Sequence, residues 1–134
     1  MPCIGNVPSI VASGSIASEA NPSGPGTIIP STTIYTPTAA GIFRVSVYVA
    51  GVASGNPSSF ENLYLTWTDE NGSQQLQAGE NLDGNSGFSS GSSLGGLQAF
   101  DLIVHAEADA MQVSADHGSG AGTYTLYYVV EQLA

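Results

Sequence analysis

The residues best equipped for chemistry are few and scattered. His105 stands four positions after Asp101 and two before Glu107, so an extended chain sets all three on one side. An imidazole between two carboxylates can move protons or ligate a metal. No cysteine or further ligand is placed beside them, and the pattern reads first as a solvated strand face. His117 follows Asp116 at the start of a Gly-rich stretch and reads as loop. Gly118-Ser119-Gly120 lacks the strand–turn–helix context that makes a serine nucleophilic. Asp83-Gly84-Asn85-Ser86-Gly87 alternates oxygen-bearing side chains with glycine, as a Ca²⁺ loop does, but carries no bidentate Glu. Cys3 is the single cysteine, so no internal disulfide forms, and no cation lies nearby in sequence to activate it. Phe60, Phe88 and Tyr35 are candidate platforms for a sugar ring, with plugging of the core as the competing role. No catalytic, cofactor or metal site is expected.

Arg44 is the one cation among the Lys and Arg positions, against eleven carboxylates. The formal net charge is -10, although only 9% of residues are charged. Binding to DNA, RNA or an anionic membrane surface needs several Lys or Arg, so nucleic acid and membrane are excluded as expected partners.

A chain of 134 residues with 42% hydrophobic side chains is long enough to bury a core without disulfide or metal. The first residues carry neither a basic region nor a long apolar run, which predicts no secretory signal, and no apolar stretch reaches the length of a bilayer span. The Ser-, Thr-, Gly- and Asn-rich, Lys-free composition nonetheless resembles that of an extracellular protein. A virus particle, assembled in a host cytoplasm and released by lysis, meets both conditions.

The elements that must position these residues are strands. No long segment holds a helical apolar period free of Gly or Pro. Alternation with a period of two recurs instead: Phe43, Val45, Val47 and Val49; Leu63, Leu65 and Trp67; Phe100, Leu102 and Val104; Met111 and Val113; Tyr124, Leu126, Tyr128 and Val130. Asp69-Glu70-Asn71-Gly72 predicts a hairpin turn leading to a short return strand near Gln74–Gln77. Glu107-Ala108-Asp109 and the Gly-rich 117–122 predict two further connections, and Pro37 to Gly41 the entry to the Phe43 strand. Asn21 to Gly26 is rich in Pro, Gly and Ser, and 78–96 in Gly, Ser and Asn; the second is long enough to be an exposed loop. Residues 1–26 are expected as an extended N-terminal segment able to dock on a neighbour, and 27–134 as one sandwich domain. Short strands separated by turns predict an all-β, antiparallel β-sandwich of about eight strands.

The residues opposite the apolar set are only partly polar. Ile42, Tyr48, Tyr64, Ile103, Tyr127 and Val129 fall there, and Arg44 with them. An apolar, Tyr-bearing second face predicts contact with other copies. Arg44, as the lone cation, is expected to pair with a carboxylate within or between subunits.

Tyr35-Thr36-Pro37-Thr38-Ala39-Ala40-Gly41-Ile42-Phe43-Arg44-Val45-Ser46-Val47-Tyr48 resembles the entry strand of jelly-roll domains in complement globular heads and the tumour necrosis factor-like fold. It is equally similar to small structural proteins of tailed bacteriophages. The closing stretch from Gly122 to Leu133 fits a terminal strand in the centre of such a sheet. The resemblance implies a jelly-roll-like sandwich, a homotrimer, and a role in binding or in decorating a larger assembly; it transfers no functional residue. The expected function is that of a non-enzymatic virion structural protein, a phage capsid decoration or stabilising subunit whose partners are itself and the major capsid or another virion protein. The alternative is a receptor- or glycan-binding module at a fibre tip.

Overall fold

A computed structural model describes residues 7–18, 26–51, 60–78, 97–117 and 124–134. They form eight strands: β1 (Ser9–Ala17), β2 (Gly26–Tyr35), β3 (Gly41–Gly51), β4 (Phe60–Asp69), β5 (Gly72–Ala78), β6 (Leu97–Ala106), β7 (Met111–His117) and β8 (Tyr124–Gln132). Two four-stranded antiparallel sheets result, in the orders β1-β8-β3-β6 and β2-β7-β4-β5. Only β4 and β5 are consecutive within one sheet; every other connection passes between sheets. That is the jelly-roll arrangement of an antiparallel sandwich. Strand β8 lies between β1 and β3, in the sheet interior, where its apolar run suits burial.

The alternating residues face inward as their spacing requires. Phe43, Val45, Val47 and Val49 of β3 meet Leu63 and Leu65 of β4, Met111, Val113 and Ala115 of β7, and Tyr124, Leu126 and Val130 of β8 in one core. Each fully buried Leu or Val contributes roughly 1.5–3 kcal/mol through removal from water. Trp67, Phe100, Leu102 and Tyr128 are partly buried against that core.

Two strands depart from the expected layout. Ser9–Ala17 lies inside the segment 1–26 set apart by composition, yet it pairs along β8 as an edge strand. The sandwich therefore takes in residues ahead of 27. A bulge at Val11 lets Ile10 face out while Val11 and Ala12 both approach the core. In β2, register shifts around Ile29 and Thr32 let Ile29 and Ile34 both point inward despite their odd spacing. Pro30 between them cannot donate a ladder hydrogen bond, which an edge strand tolerates. Residues 19–25, 79–96 and 118–123, and with them most of the two Gly-rich loops, lie outside the described residues.

The turns follow local chemistry. Glu70 and Asn71 form the β4–β5 hairpin turn, and Gly72 takes the positive φ, 108°, that a side chain disfavours. The Asp69 carboxylate accepts from the Asn71 amide at 2.7 Å and from the Gln74 side chain at 3.0 Å, closing the turn. Ser18 and Tyr124 clasp the start of β8: the Ser18 amide donates to the Tyr124 carbonyl, and the Tyr124 amide to Ser18 Oγ, both at 2.8 Å.

Gly41 opens β3 beneath the chain's last residue. The Ile42 amide donates to the Ala134 carbonyl at 2.8 Å, and a Cβ on Gly41 would sit 2.6 Å from that oxygen. Backbone cannot give way as a side chain tip can. Gly41→Ala is therefore expected to cost about 1–3 kcal/mol, the usual range for overpacking. Thermal unfolding followed by circular dichroism reads this as a lower midpoint; an unchanged midpoint would contradict the close approach.

Candidate functional site

Alternation along each strand and register between strands together decide what shares a surface. On the outer face of the first sheet, Arg44 of β3 lies opposite Glu131 of β8 on one side and Ile103 of β6 on the other. Ser46 lies opposite Val129 and Asp101, and Tyr48 opposite Tyr127. Ile42 stands one step further along, opposite His105. Six of the expected contact residues (Ile42, Arg44, Tyr48, Ile103, Tyr127 and Val129) thus converge on one face. Ile10 of β1 joins them, exposed, opposite Glu131. The bulge at Val11 puts Ile10 there, and no simple alternation predicts it.

Tyr64 does not belong to this group. It lies on β4, in the second sheet, opposite Gln77 and Ser114. Alternation correctly sets it opposite Leu63 and Leu65, but the outward side of β4 is the far surface of the sandwich. That surface is polar: Thr33, Gln112, Thr66 and Gln75 run across it in register. Gln112 donates to Thr33 Oγ1 at 3.3 Å and accepts from Ser31 Oγ at 3.2 Å. The two outer faces of the sandwich therefore differ in kind.

Arg44 resolves its expected pairing within the chain. Its Nη1 lies 3.5 Å from Glu131 Oε1, and its Nε 3.6 Å from Asp101 Oδ1. Ser46 Oγ donates to the same Asp101 oxygen at 3.4 Å. The Arg44 side chain is 38% exposed, and those of Asp101 and Glu131 65% and 29%. At such exposure water screens each pair to below about 1 kcal/mol. Their weight lies in electrostatics: among the described residues of this face two carboxylates share one cation, which offsets one of their two negative charges.

Tyr48 and Tyr127 stack across β3 and β8, ring centroids 4.8 Å apart and planes inclined by 19°. Both remain about two-fifths exposed. A cross-strand aromatic pair adds about 0.5–1.5 kcal/mol beyond burial. Beside the rings a shallow depression of about 530 Å³ opens, bordered by Ser13, Ser46, Asp101 and Val129.

The candidates for chemistry are not brought together. Asp101 and His105 share the outer side of β6 but stand four residues, about 13 Å, apart along the strand, and Asp101 is engaged by Arg44 and Ser46. Glu107 lies in the connection after β6, its amide donating to the Thr68 carbonyl at 2.8 Å. Among the described residues no group of three or more His, Cys, Asp or Glu side chains gathers as a metal site would require. Tyr35 is half-buried, its ring tilted against Phe43 at 5.8 Å, so it serves the core. Cys3, the 83–87 stretch, Phe88 and Ser119 lie outside the described residues, as do the side chains of Phe60 and His117.

Comparison with known protein families and with curated proteins finds no match.

The described structure alters the acidity of Asp109. Thr68 Oγ1 donates to its Oδ2 and the Ala110 amide to its Oδ1, each at 2.9 Å. Both bonds favour the charged form and hold the carboxyl below its ordinary value, the Thr68 bond most. The sign follows. A lowered folded value stabilises the fold above the ordinary aspartate value of about 3.9, and that stabilisation is lost as pH falls through the lower folded value. Thr68→Val is expected to move the Asp109 midpoint upward in a carboxyl NMR titration; an unmoved midpoint would remove Thr68 as the main cause.

Proposed function

We propose that this chain is a non-enzymatic structural subunit of a virus particle, a capsid decoration or stabilising protein of a tailed phage, which self-associates and contacts the major capsid or another virion protein. The observation that carries the reading is the asymmetry of the sandwich. One outer face is mainly Ser, Thr and Gln, with Tyr64 among them; the other exposes Ile10, Ile42, Tyr48, Ile103 and Tyr127 around a single Arg that offsets one of the two neighbouring carboxylates. Exposed apolar surface of that extent on one side of a small domain is what a subunit contact requires. The rest of the acidic, Lys-free surface keeps an assembled particle soluble and free of released nucleic acid. The resemblance of 35–48 to jelly-roll and phage structural strands supports the virion role.

A second reading, a receptor- or glycan-binding module at a fibre tip, draws support from the depression beside Tyr48 and Tyr127. Aromatic rings next to hydroxyl and carboxylate groups suit a neutral sugar.

The two readings separate in experiment. A decoration subunit is expected to co-sediment with capsids in many copies and to give no signal on a glycan array; the reverse result would replace the first reading by the second. Arg44→Ala tests the contact face. It leaves Asp101 and Glu131 without their cation, and is expected to weaken self-association while changing folding stability by less than about 1 kcal/mol. An oligomer mass unchanged by light scattering would remove Arg44 from the contact.

A further inference from the structure

The register of the first sheet sorts its outer residues into rows that cross the strands, spaced about 7 Å apart, two residues of rise. The first row is tall: Ile10, Glu131, Arg44 and Ile103. The second is short at Ser13, Val129 and Ser46, and ends in Asp101, which bonds to Ser46 and pairs with Arg44. In the third, the stacked Tyr127 and Tyr48 rise at the centre. The fourth runs Ala17, Thr125, Ala50 and Leu97, and is short on β1, β8 and β3. Over these four rows tall and short alternate on β8 and β3, a further tall row of Ile42 and His105 lies beyond the first, and the depression beside the tyrosines is the second row.

Resting on the self-association proposed above, we infer that this face pairs with the same face of a second copy about a twofold axis. The axis lies across the strands, midway between the second and third rows. Such an axis lays the first row of one copy over the fourth row of the other, and the third over the second. Tyr48 of one copy seats over Ser46 of the second copy, and Tyr127 over Val129. The Arg44 row meets the Ala17–Thr125 row.

Two further observations support a second copy as the occupant. The first is charge. In this arrangement Glu131 faces Thr125, and neither Glu131 nor Asp101 faces another carboxylate. Two chains of net charge -10 therefore meet through a face on which Arg44 offsets one of the two carboxylates. The second is area. Four strands at about 4.8 Å spacing and nine residues at about 3.4 Å give a face near 600 Å². A pair then buries about 1,200 Å² in total, the lower bound of stable specific interfaces. Sheets packed face to face in this way also match the usual geometry of sandwich layers. A twofold pair differs from the trimer implied by the jelly-roll resemblance, so native mass discriminates between them.

The experiment is native mass spectrometry and sedimentation across a concentration series on the full chain, with three variants. Tyr48→Ala combined with Tyr127→Ala removes the ridge, Ser46→Trp fills the short row, and Thr66→Trp alters the opposite outer face. Circular dichroism confirms that each is folded. Even-numbered mass is expected for the parent chain. The ridge and row variants are expected to raise the dissociation constant by at least about tenfold, the effect of losing a hot-spot contact, and Thr66→Trp to leave it unchanged. A trimer, or an even-numbered mass that none of the face variants alters, overturns the twofold pairing while leaving self-association standing. A monomer at every concentration overturns both.

Discussion

Strand β3 is hydrogen-bonded along both edges, to β6 and to β8, and its phase is locked by burial of Phe43, Val45, Val47 and Val49. A slip of one residue would carry all four into water and Ile42, Arg44, Ser46 and Tyr48 into the core. Four buried apolar side chains, at roughly 1.5–3 kcal/mol each, outweigh anything the outer face contributes. The outer face therefore inherits its arrangement from the core. Arg44 lies beside Glu131 and Asp101, and Tyr48 beside Tyr127, because the inward residues leave no other register.

This hierarchy explains how weak interactions give the surface its character. The ion pairs of Arg44 are long and half-exposed, and they hold nothing together that the core does not already hold. What they change is the potential of the face. An acidic chain repels its own copies, and the cost falls wherever carboxylates are sparse or neutralised. On the first sheet's outer surface Arg44 offsets one of two carboxylates beside exposed aliphatic and aromatic groups. The second sheet's outer surface, mainly Ser, Thr and Gln with Tyr64 among them, has less reason to leave water.

Legibility in the sequence followed the regularity of the strands. β3, β4, β6, β7 and β8 alternate cleanly, and their inward faces are those the spacing predicts. The β4–β5 hairpin was legible from Asn71-Gly72, with Gly72 taking the positive φ. β1 and β2 were not. Gly14 interrupts one and Pro30 the other, and each carries bulges that break the period of two. Ile10 was hidden for the same reason. Gly14 itself has a packing role, since a Cβ there would lie 2.9 Å from the Tyr128 hydroxyl. Of the expected contact residues, Tyr64 faces outward from β4 as alternation predicts, on the opposite surface from the other six.

Composition and alternation alone determined the strand content and the inward residues of the regular strands. These properties depend on the nature of each side chain and its parity along the chain. Only the tertiary structure decided which sheet each strand joins, which outward residues become neighbours, and that Arg44 finds both its carboxylates within one chain. Parity distinguishes in from out; it carries no information about which of two outer surfaces a residue occupies. That choice is made by pairings between strands far apart in sequence, such as β3 with β8.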